Sequence, residues 1–224
     1  MRGPAIIVPQ EIQDAINRGE KPRLLLHACC APCSSAIVEW LLVHQIEPVI
    51  YYFNPNIYPR EEYEIRKNES KRHAESLGIQ WIDNDRRGSG AEMPCGYGHE
   101  EWLQAVTGLE NEPERGRRCQ ACFYHRLLAT ARKAQELGIG FFATTLASSR
   151  WKSLEQINAA GEAAERRMRE LENERMSETP RFWAQNWRKD GLQERRNALL
   201  REYGFYNQLY CGCEFSLAAS QHQN

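Results

Sequence analysis

No stretch of this 224-residue chain is apolar for the roughly 20 residues that a membrane-spanning helix takes. The first residues, Met1-Arg-Gly-Pro-Ala-Ile-Ile-Val-Pro9, hold an apolar run too short for the core of a secretory signal. These absences lead to the expectation of a cytosolic protein with no membrane partner. There is no internal repeat and no low-complexity linker. There is almost no net charge either. The balance is −1, which by itself points to no anionic partner. An apolar fraction of 42% is enough for a real core, so the chain reads as one large domain or one domain with an elaboration.

Cysteine is not lacking, and its placement carries the most information. Six of the eight cysteines form three tight pairs: Cys29-Cys30, Cys119-x-x-Cys122 and Cys211-x-Cys213. Cys33 lies three residues beyond the first pair. In a reducing cytosol structural disulfides are rare, so close-spaced thiols point to metal or redox chemistry. Side chains of adjacent residues diverge, so Cys29-Cys30 is a poor chelate for one tetrahedral zinc. The pair is easier to explain if the two thiolates face different metals, or a cluster edge and an ion. The bland alternative is one buried structural cysteine beside one redox thiol. Cys119-x-x-Cys122 is the strongest local signal and fits zinc, an iron–sulfur cluster or thiol exchange. The glycine of Cys211-Gly212-Cys213 allows close approach to a bulky group. Four thiolates from these last two blocks complete a Cys₄ set that suits zinc as well as iron–sulfur. Cys95 is isolated in a loop and reads as a free thiol.

Positive charge gathers around the same blocks. Arg115 to Arg132 holds five arginines and no carboxylate. Arg181 to Arg201 holds six basic residues against Asp190 and Glu194. Such local basicity suits a docked polyanion, although solvated helix faces read the same way.

Short apolar runs alternate with helical patterns. Strands are expected at Arg23–His27, Pro48–Phe53, Ile79–Ile82 and Gly140–Thr145. Helices are expected over Ser34–His44, from Pro59 to about Ser76, from the Cys119 block to Leu137, and from about Ser153. Asp83–Gly98 reads as a polar loop, and the mixed charges of Glu162–Glu178 as a solvated helix. The alternation predicts an α/β fold with a doubly wound parallel sheet, its core over about 20–160. A small helical C-terminal elaboration over about 161–217 would carry the last cysteines, and residues 1–224 would form a single domain. In such sheets the working residues follow the C-terminal ends of strands. Cys29, Cys30 and Cys33 follow the first strand. Thr144, Thr145 and Ser148–Lys152 follow the fourth.

Taken together the blocks resemble a known family. His27-Ala-Cys29-Cys30-Ala-Pro-Cys33-Ser and Tyr52-Phe-Asn-Pro-Asn-Ile-Tyr-Pro59, with Glu62-Tyr63 and Arg66, are similar to the N-terminal half of the QueH-type epoxyqueuosine reductases. So are Arg118-Cys119-x-x-Cys122-Phe-x-x-Arg126-Leu127, Ala143-Thr144-Thr145-Leu146-x-x-Ser149 and Tyr210-Cys211-Gly212-Cys213-x-Phe215-Ser216. The match runs from about Leu24 to Leu217, and the order of double cysteine, C-x-x-C and terminal C-G-C is highly specific. The resemblance implies a HUP-type fold related to PP-loop ATPases, with the phosphate loop replaced by the cysteine block. It implies reduction of epoxyqueuosine to queuosine at the wobble position of tRNA, the last step of queuosine biosynthesis. It further implies a 4Fe-4S cluster beside a mononuclear iron, an external electron donor, and no cobalamin or ATP.

On that basis Cys119, Cys122, Cys211 and Cys213 are expected on the cluster, and Cys29, Cys30 and Cys33 on the single ion. Arg117, Arg118, Arg126, Arg188 and Lys189 are expected at tRNA phosphates. Trp183, Trp187, Phe123 or Tyr124 could stack an unpaired anticodon base, although ordinary core packing suits them equally. Thr144-Thr145 could bond the substrate or merely cap the next helix. Two positions depart from the family pattern. Many relatives have Asp where this chain has Cys33, and Asp-Phe-Arg-Lys where it has Asn186-Trp187-Arg188-Lys189. A thiolate at Cys33 would make a softer ligand set, and Asn186 cannot give up a proton as a carboxylic acid can. Two rival readings are a PP-loop tRNA thiolation enzyme and a zinc-stabilised RNA-binding module. The first requires Ser-Gly-Gly-x-Asp-Ser after the first strand, where this chain has Cys29-Cys30-Ala-Pro-Cys33-Ser. The second leaves Cys29-Cys30 unexplained.

Overall fold

Three successive leucines, Leu24, Leu25 and Leu26, fix the centre of the molecule. A run that is apolar on both faces belongs in a strand covered on both sides, and all three are fully buried in β1 (Arg23–His27). The computed structural model describes residues 6–85, 96–172 and 179–221. Around β1 lie β2 (Glu47–Tyr52), β3 (Trp81–Asp83), β4 (Phe141–Thr144) and β5 (Arg181–Phe182), in the order β3-β2-β1-β4-β5. Every pairing is parallel, with Leu26 beside Ile50 on one side and Ala143 on the other.

The helices are α1 (Gln10–Asn17), α2 (Ala31–Val43), α3 (Arg60–Ser76), α4 (His99–Ala105), α5 (Arg117–Glu136), α6 (Leu154–Glu172), α7 (Leu192–Glu202) and α8 (Glu214–Gln221). They flank the sheet, α5 packing on α6 and α2 on α7 and α3. The doubly wound parallel sheet is therefore present. Among the described residues no helix is long and apolar enough to cross a membrane.

The chain leaves β1 in opposite directions. One crossover leads to β2 and β3, and the later strands β4 and β5 lie on the other side. The crevice between the C-terminal ends of β1 and β4 is thus the topological switch point, where ligands bind in such sheets.

Several elements differ from expectation. Helix α2 begins at Ala31, three residues earlier than Ser34, because Pro32 suits the first turn and extended Cys30 serves as its N-cap residue. This puts Cys33 inside the first turn of the helix. The third strand is shifted to Trp81–Asp83. The strand β5 and the helices α1 and α4 were not expected, while α7 and α8 fall in the expected helical C-terminal elaboration, α8 running a few residues past its end. Gly161 explains how β5 can join the sheet: a Cβ there would lie 2.3 Å from the Phe182 ring, so only glycine lets α6 pass this close. Helix α6 accounts for the described part of the mixed-charge segment, burying Ile157, Ala160, Ala164 and Met168 at helical spacing. Cys95 and most of the Asp83–Gly98 loop lie outside the described residues.

Candidate metal centre

The end of β1 sets the geometry. His27 is fully buried and pairs in register with Thr144 of β4. Its Nε2 lies 3.1 Å from the Phe53 carbonyl, which can only accept, so Nε2 carries the proton. Its Nδ1 then accepts from the Thr144 hydroxyl at 2.8 Å. Burial, with the Arg126 guanidinium nearby, lowers the His27 pKa to about 3, so the imidazole is a neutral structural link.

The two threonines divide their roles. Thr144 Oγ1 also accepts from the Leu146 N–H at 3.1 Å and so caps the 3₁₀ turn Thr145–Ser148. Thr145 reaches across to the cysteine turn. Its hydroxyl accepts the Cys29 N–H at 3.2 Å and lies 3.4 Å from Cys29 Sγ, to which it can donate.

Cys29, Cys30 and Cys33 are all buried, with sulfurs within 4.8 Å of one another. Cys30 and Cys33 sit at the positive N-terminal end of α2, where unpaired backbone N–H groups favour negative charge. Hydrogen bonding with the thiols of Cys30 and Cys33, helped by Thr145, holds Cys29 well below the usual thiol range. The proton is correspondingly retained on Cys30, pushed well up, and on Cys33, pushed up to about 12 by its bond to Cys29. One negative charge shared among three sulfurs is a ready cation site.

The other four cysteines do not close on a point. Cys119, Cys122, Cys211 and Cys213 line a small cavity together with Asn56, Trp102, Arg118, Phe123 and Arg126. Cys119 and Cys122 come from the first turns of α5. The C-terminal pair reaches them because its segment is pinned to the turn after β2. The Tyr58 N–H donates to the Gly212 carbonyl at 2.8 Å, and the Tyr210 hydroxyl bonds the Tyr58 carbonyl. Arg66, locked in a buried pair with Glu62, lies with its guanidinium 3.4 Å from the Cys211 carbonyl and 5.5 Å from the Tyr210 ring centre. Gly212 has φ +131°, and a Cβ there would meet Arg66 Nη1 at 3.2 Å and Asn56 Nδ2 at 3.3 Å. The motif residues Asn56, Tyr58, Glu62 and Arg66 thus form the seat of the C-G-C turn. Burial pushes Cys119 up to about 11 and raises Cys122 and Cys213.

The cavity wall is rich in unused donors. Trp102 Nε1, Arg118 Nε and Arg126 Nε are buried without hydrogen-bond partners, as is the acceptor Asn56 Oδ1. Buried donors without partners are rare and costly. Three of them around four thiols fit an anionic, sulfur-rich group in the cavity. The soft thiol donor set and the glycine-cleared approach at Gly212 fit it as well.

Lys152 connects the two sets. It is buried on the turn after β4. Burial opposes its charge, but attraction to the thiolate forms of the nearby cysteines, Cys211, Cys29 and Cys33, outweighs this and holds its pKa above the ordinary lysine value. Asn54 ties the same region together, donating to the Ala28 carbonyl at 2.9 Å and accepting from Arg126.

The five basic residues expected at phosphates separate into two groups. Arg118 is buried, with its Nη1 on the carbonyls of Leu109, Glu110 and Glu112 and its guanidinium 4.8 Å from the Phe215 ring centre. Arg126 is buried against Asn54. Both guanidinium groups are turned inward. Arg117 is exposed and pairs with Glu112, while Arg188 and Lys189 are half-buried. The aromatics Trp183, Trp187 and Phe123 are core residues. Asn186 Oδ1 accepts the Arg188 N–H at 3.2 Å, a turn-forming role that an amide fills without any acidity.

Sequence reasoning did not single out Trp102, Asn54 or Asn56 as site residues, and reached Lys152 only as the end of the Ser148–Lys152 segment after the fourth strand. The Asn-Pro-Asn motif and the position of Lys152 after the fourth strand were usable signals. Nothing local marks Trp102, which sits in the short helix α4.

Known proteins resemble this chain over most of its length. The family model described as epoxyqueuosine reductase QueH matches residues 24–219. The epoxyqueuosine reductase QueH of Haemophilus influenzae is 39% identical over 210 residues, covering 94% of this chain and 76% of its own. That of Acinetobacter baylyi is 40% identical over 195 residues, covering 87% and 80%. That of Thermotoga maritima is 32% identical over 197 residues, covering 87% and 90%. With seven clustered cysteines at the switch point of a parallel sheet and near-complete coverage by one family model, the chain belongs to the epoxyqueuosine reductase QueH family.

Proposed function

We propose that this protein reduces epoxyqueuosine to queuosine at the wobble position of tRNA, the last step of queuosine biosynthesis, in the cytosol. A 4Fe-4S cluster would be held by Cys119, Cys122, Cys211 and Cys213. A mononuclear iron would be held by Cys29, Cys30 and Cys33. Electrons would come from an external donor, without ATP. The observation that carries this reading is the pairing of a tight three-thiol site with a wider four-thiol cavity around one buried lysine.

The reaction converts the epoxide to an alkene and releases its oxygen as water, consuming two electrons and two protons. When bound, the metal groups supply single electrons and a Lewis acid for the epoxide oxygen. The chain supplies the rest. Thr145 and the N-terminus of α2 hold the Cys29–Cys33 turn and favour its thiolate form. Lys152 balances the negative charge between the two sets. Trp102, Arg118 and Arg126 offer N–H groups to sulfur. Tyr63 and Tyr52 form a dry wall behind the Asn54–Pro59 turn. Arg117, Arg188 and Lys189 remain on or near the surface and suit tRNA phosphates.

The test is anaerobic reconstitution with iron and sulfide, followed by the visible spectrum, metal analysis and assay on epoxyqueuosine-containing tRNA. Iron–sulfur absorption and conversion to queuosine are expected, and Cys119→Ala should lose both. A colourless protein that holds only zinc would overturn the cofactor assignment. A correctly loaded protein with no turnover would overturn the reaction.

A further inference from the structure

Among the described residues Trp151 is the only tryptophan of the strongly exposed apolar side chains, with 73% of its surface in water. A single exposed hydrophobic residue is ordinary. This one differs in how firmly its backbone is held. Arg115 Nε donates to the Trp151 carbonyl at 2.8 Å, and its Nη2 to the Arg150 carbonyl at 3.3 Å. The Trp151 N–H donates to Ser149 Oγ at 3.3 Å, and Arg188 Nη2 to the Lys152 carbonyl at 2.9 Å. The indole is thus an apolar face displayed in water on a pinned turn.

Its location is equally well fixed. The next residue, Lys152, turns inward to the cysteine crevice. Arg115, which holds the Trp151 carbonyl, gives its own N–H to Cys119 Sγ at 3.2 Å. The turn therefore lies at the rim of the site, joined to one cysteine set through adjacent Lys152 and to the other through Arg115. The exposed Arg150 guanidinium lies 5.9 Å from the Trp151 ring centre, and exposed Arg115 and half-buried Arg188 hold the backbone carbonyls of the same turn.

An exposed aromatic face with a guanidinium beside it, on a turn held by two further arginines, is the chemistry of single-stranded nucleic acid binding, in which a base stacks on the ring and cations meet its phosphates. We propose that Trp151 stacks an unpaired anticodon-loop base next to the modified nucleotide, with Arg150 and Arg115 on the flanking phosphates. This rests on the tRNA reading above and names the contact that would position the substrate. None of the core aromatics can play this part, because Trp183, Trp187 and Phe123 are buried in the sheet's packing.

The test uses the reconstituted protein, a synthetic anticodon stem-loop RNA and epoxyqueuosine-containing tRNA. Trp151→Ala should weaken stem-loop binding about tenfold or more, the scale of one lost base stack. It should raise KM for tRNA by a similar factor while kcat and the iron–sulfur spectrum stay unchanged. Trp151→Phe should recover most of the loss, and Arg150→Ala should reduce the salt dependence of binding. Wild-type affinity and KM in Trp151→Ala would overturn the stacking role. So would a rise in KM for the electron donor alone, which would make the indole a donor-docking contact. If the wild-type protein binds the stem-loop but never reduces the tRNA, the reaction assignment fails while the stacking result still stands or falls by itself.

Discussion

The three cysteines of the β1–α2 turn and the four cysteines of the cavity reach one crevice by different routes. The first set is local. Its ligands span five residues, two of them at the start of a helix, and one hydroxyl from β4's end steadies the turn. The second set is assembled. Half of it comes from α5 and half from a segment near the C-terminus, brought in by the Asn54–Pro59 turn, Glu62 and Arg66. The local set is tight, and its neighbouring thiols, with Lys152, favour the thiolate of Cys29. The assembled set is wider, with Cys119 and Cys211 partly accessible and donors left open around it. Compactness suits one ion, and spread suits a group with several atoms of its own.

The largest effects should come from breaking one set at a time. Cys211→Ser should remove the iron–sulfur absorption and all turnover. Cys29→Ser should also stop turnover, yet keep that absorption and lose only the single ion's share of iron. Metal analysis beside the visible spectrum checks this. If each variant lost both metals together, the two sets would be one site and the contrast between them would collapse.

Backbone seating should come next. Gly212→Ala places a Cβ against Arg66 and Asn56 at a φ of +131°, where a side chain costs about 1–3 kcal/mol. The C-G-C turn should shift and cluster loading should fall, while the β1–α2 site still takes up its ion. Thr145→Val is the matching lesion on the other side. It leaves the buried Cys29 N–H without an acceptor, at about 1–3 kcal/mol. Ion retention by the three-cysteine turn should drop and cluster absorption should persist. Urea denaturation of the metal-free proteins and iron content of the loaded ones read these outcomes.

The same contrast explains what could be read beforehand. The β1–α2 set was legible because sequence neighbours remain neighbours in a turn, and a leucine run announced the strand that carries it. The sheet was legible for a similar reason, through its alternating apolar runs. Convergence of Cys119 and Cys211 was legible only through the count of four thiolates and the family resemblance, since no local pattern says that two distant segments meet. The inward turn of Arg118 and Arg126 was not legible at all. Charge along a sequence reports how many cations are near, and burial decides whether they face phosphate or sulfur. Strand β5 escaped because two residues, Arg181 and Phe182, carry too little periodicity to register.

The smallest expected effect probes the open donors directly. Trp102 is 1% exposed, and its indole N–H has no partner although it lies close enough to Cys122 to favour the thiolate. Trp102→Phe removes that donor and keeps most of the ring. In the metal-free protein the change deletes a buried unsatisfied group, so stability should hold or rise by up to about 1 kcal/mol. In the loaded protein the same change removes a hydrogen bond to an anionic sulfur. Reduction adds negative charge there, so the midpoint potential should move down. A variant that destabilises the metal-free protein and leaves the potential unchanged would mean that Trp102 only fills space. Opposite signs in the two states would mean that the cavity is built for a charge that the chain itself does not carry.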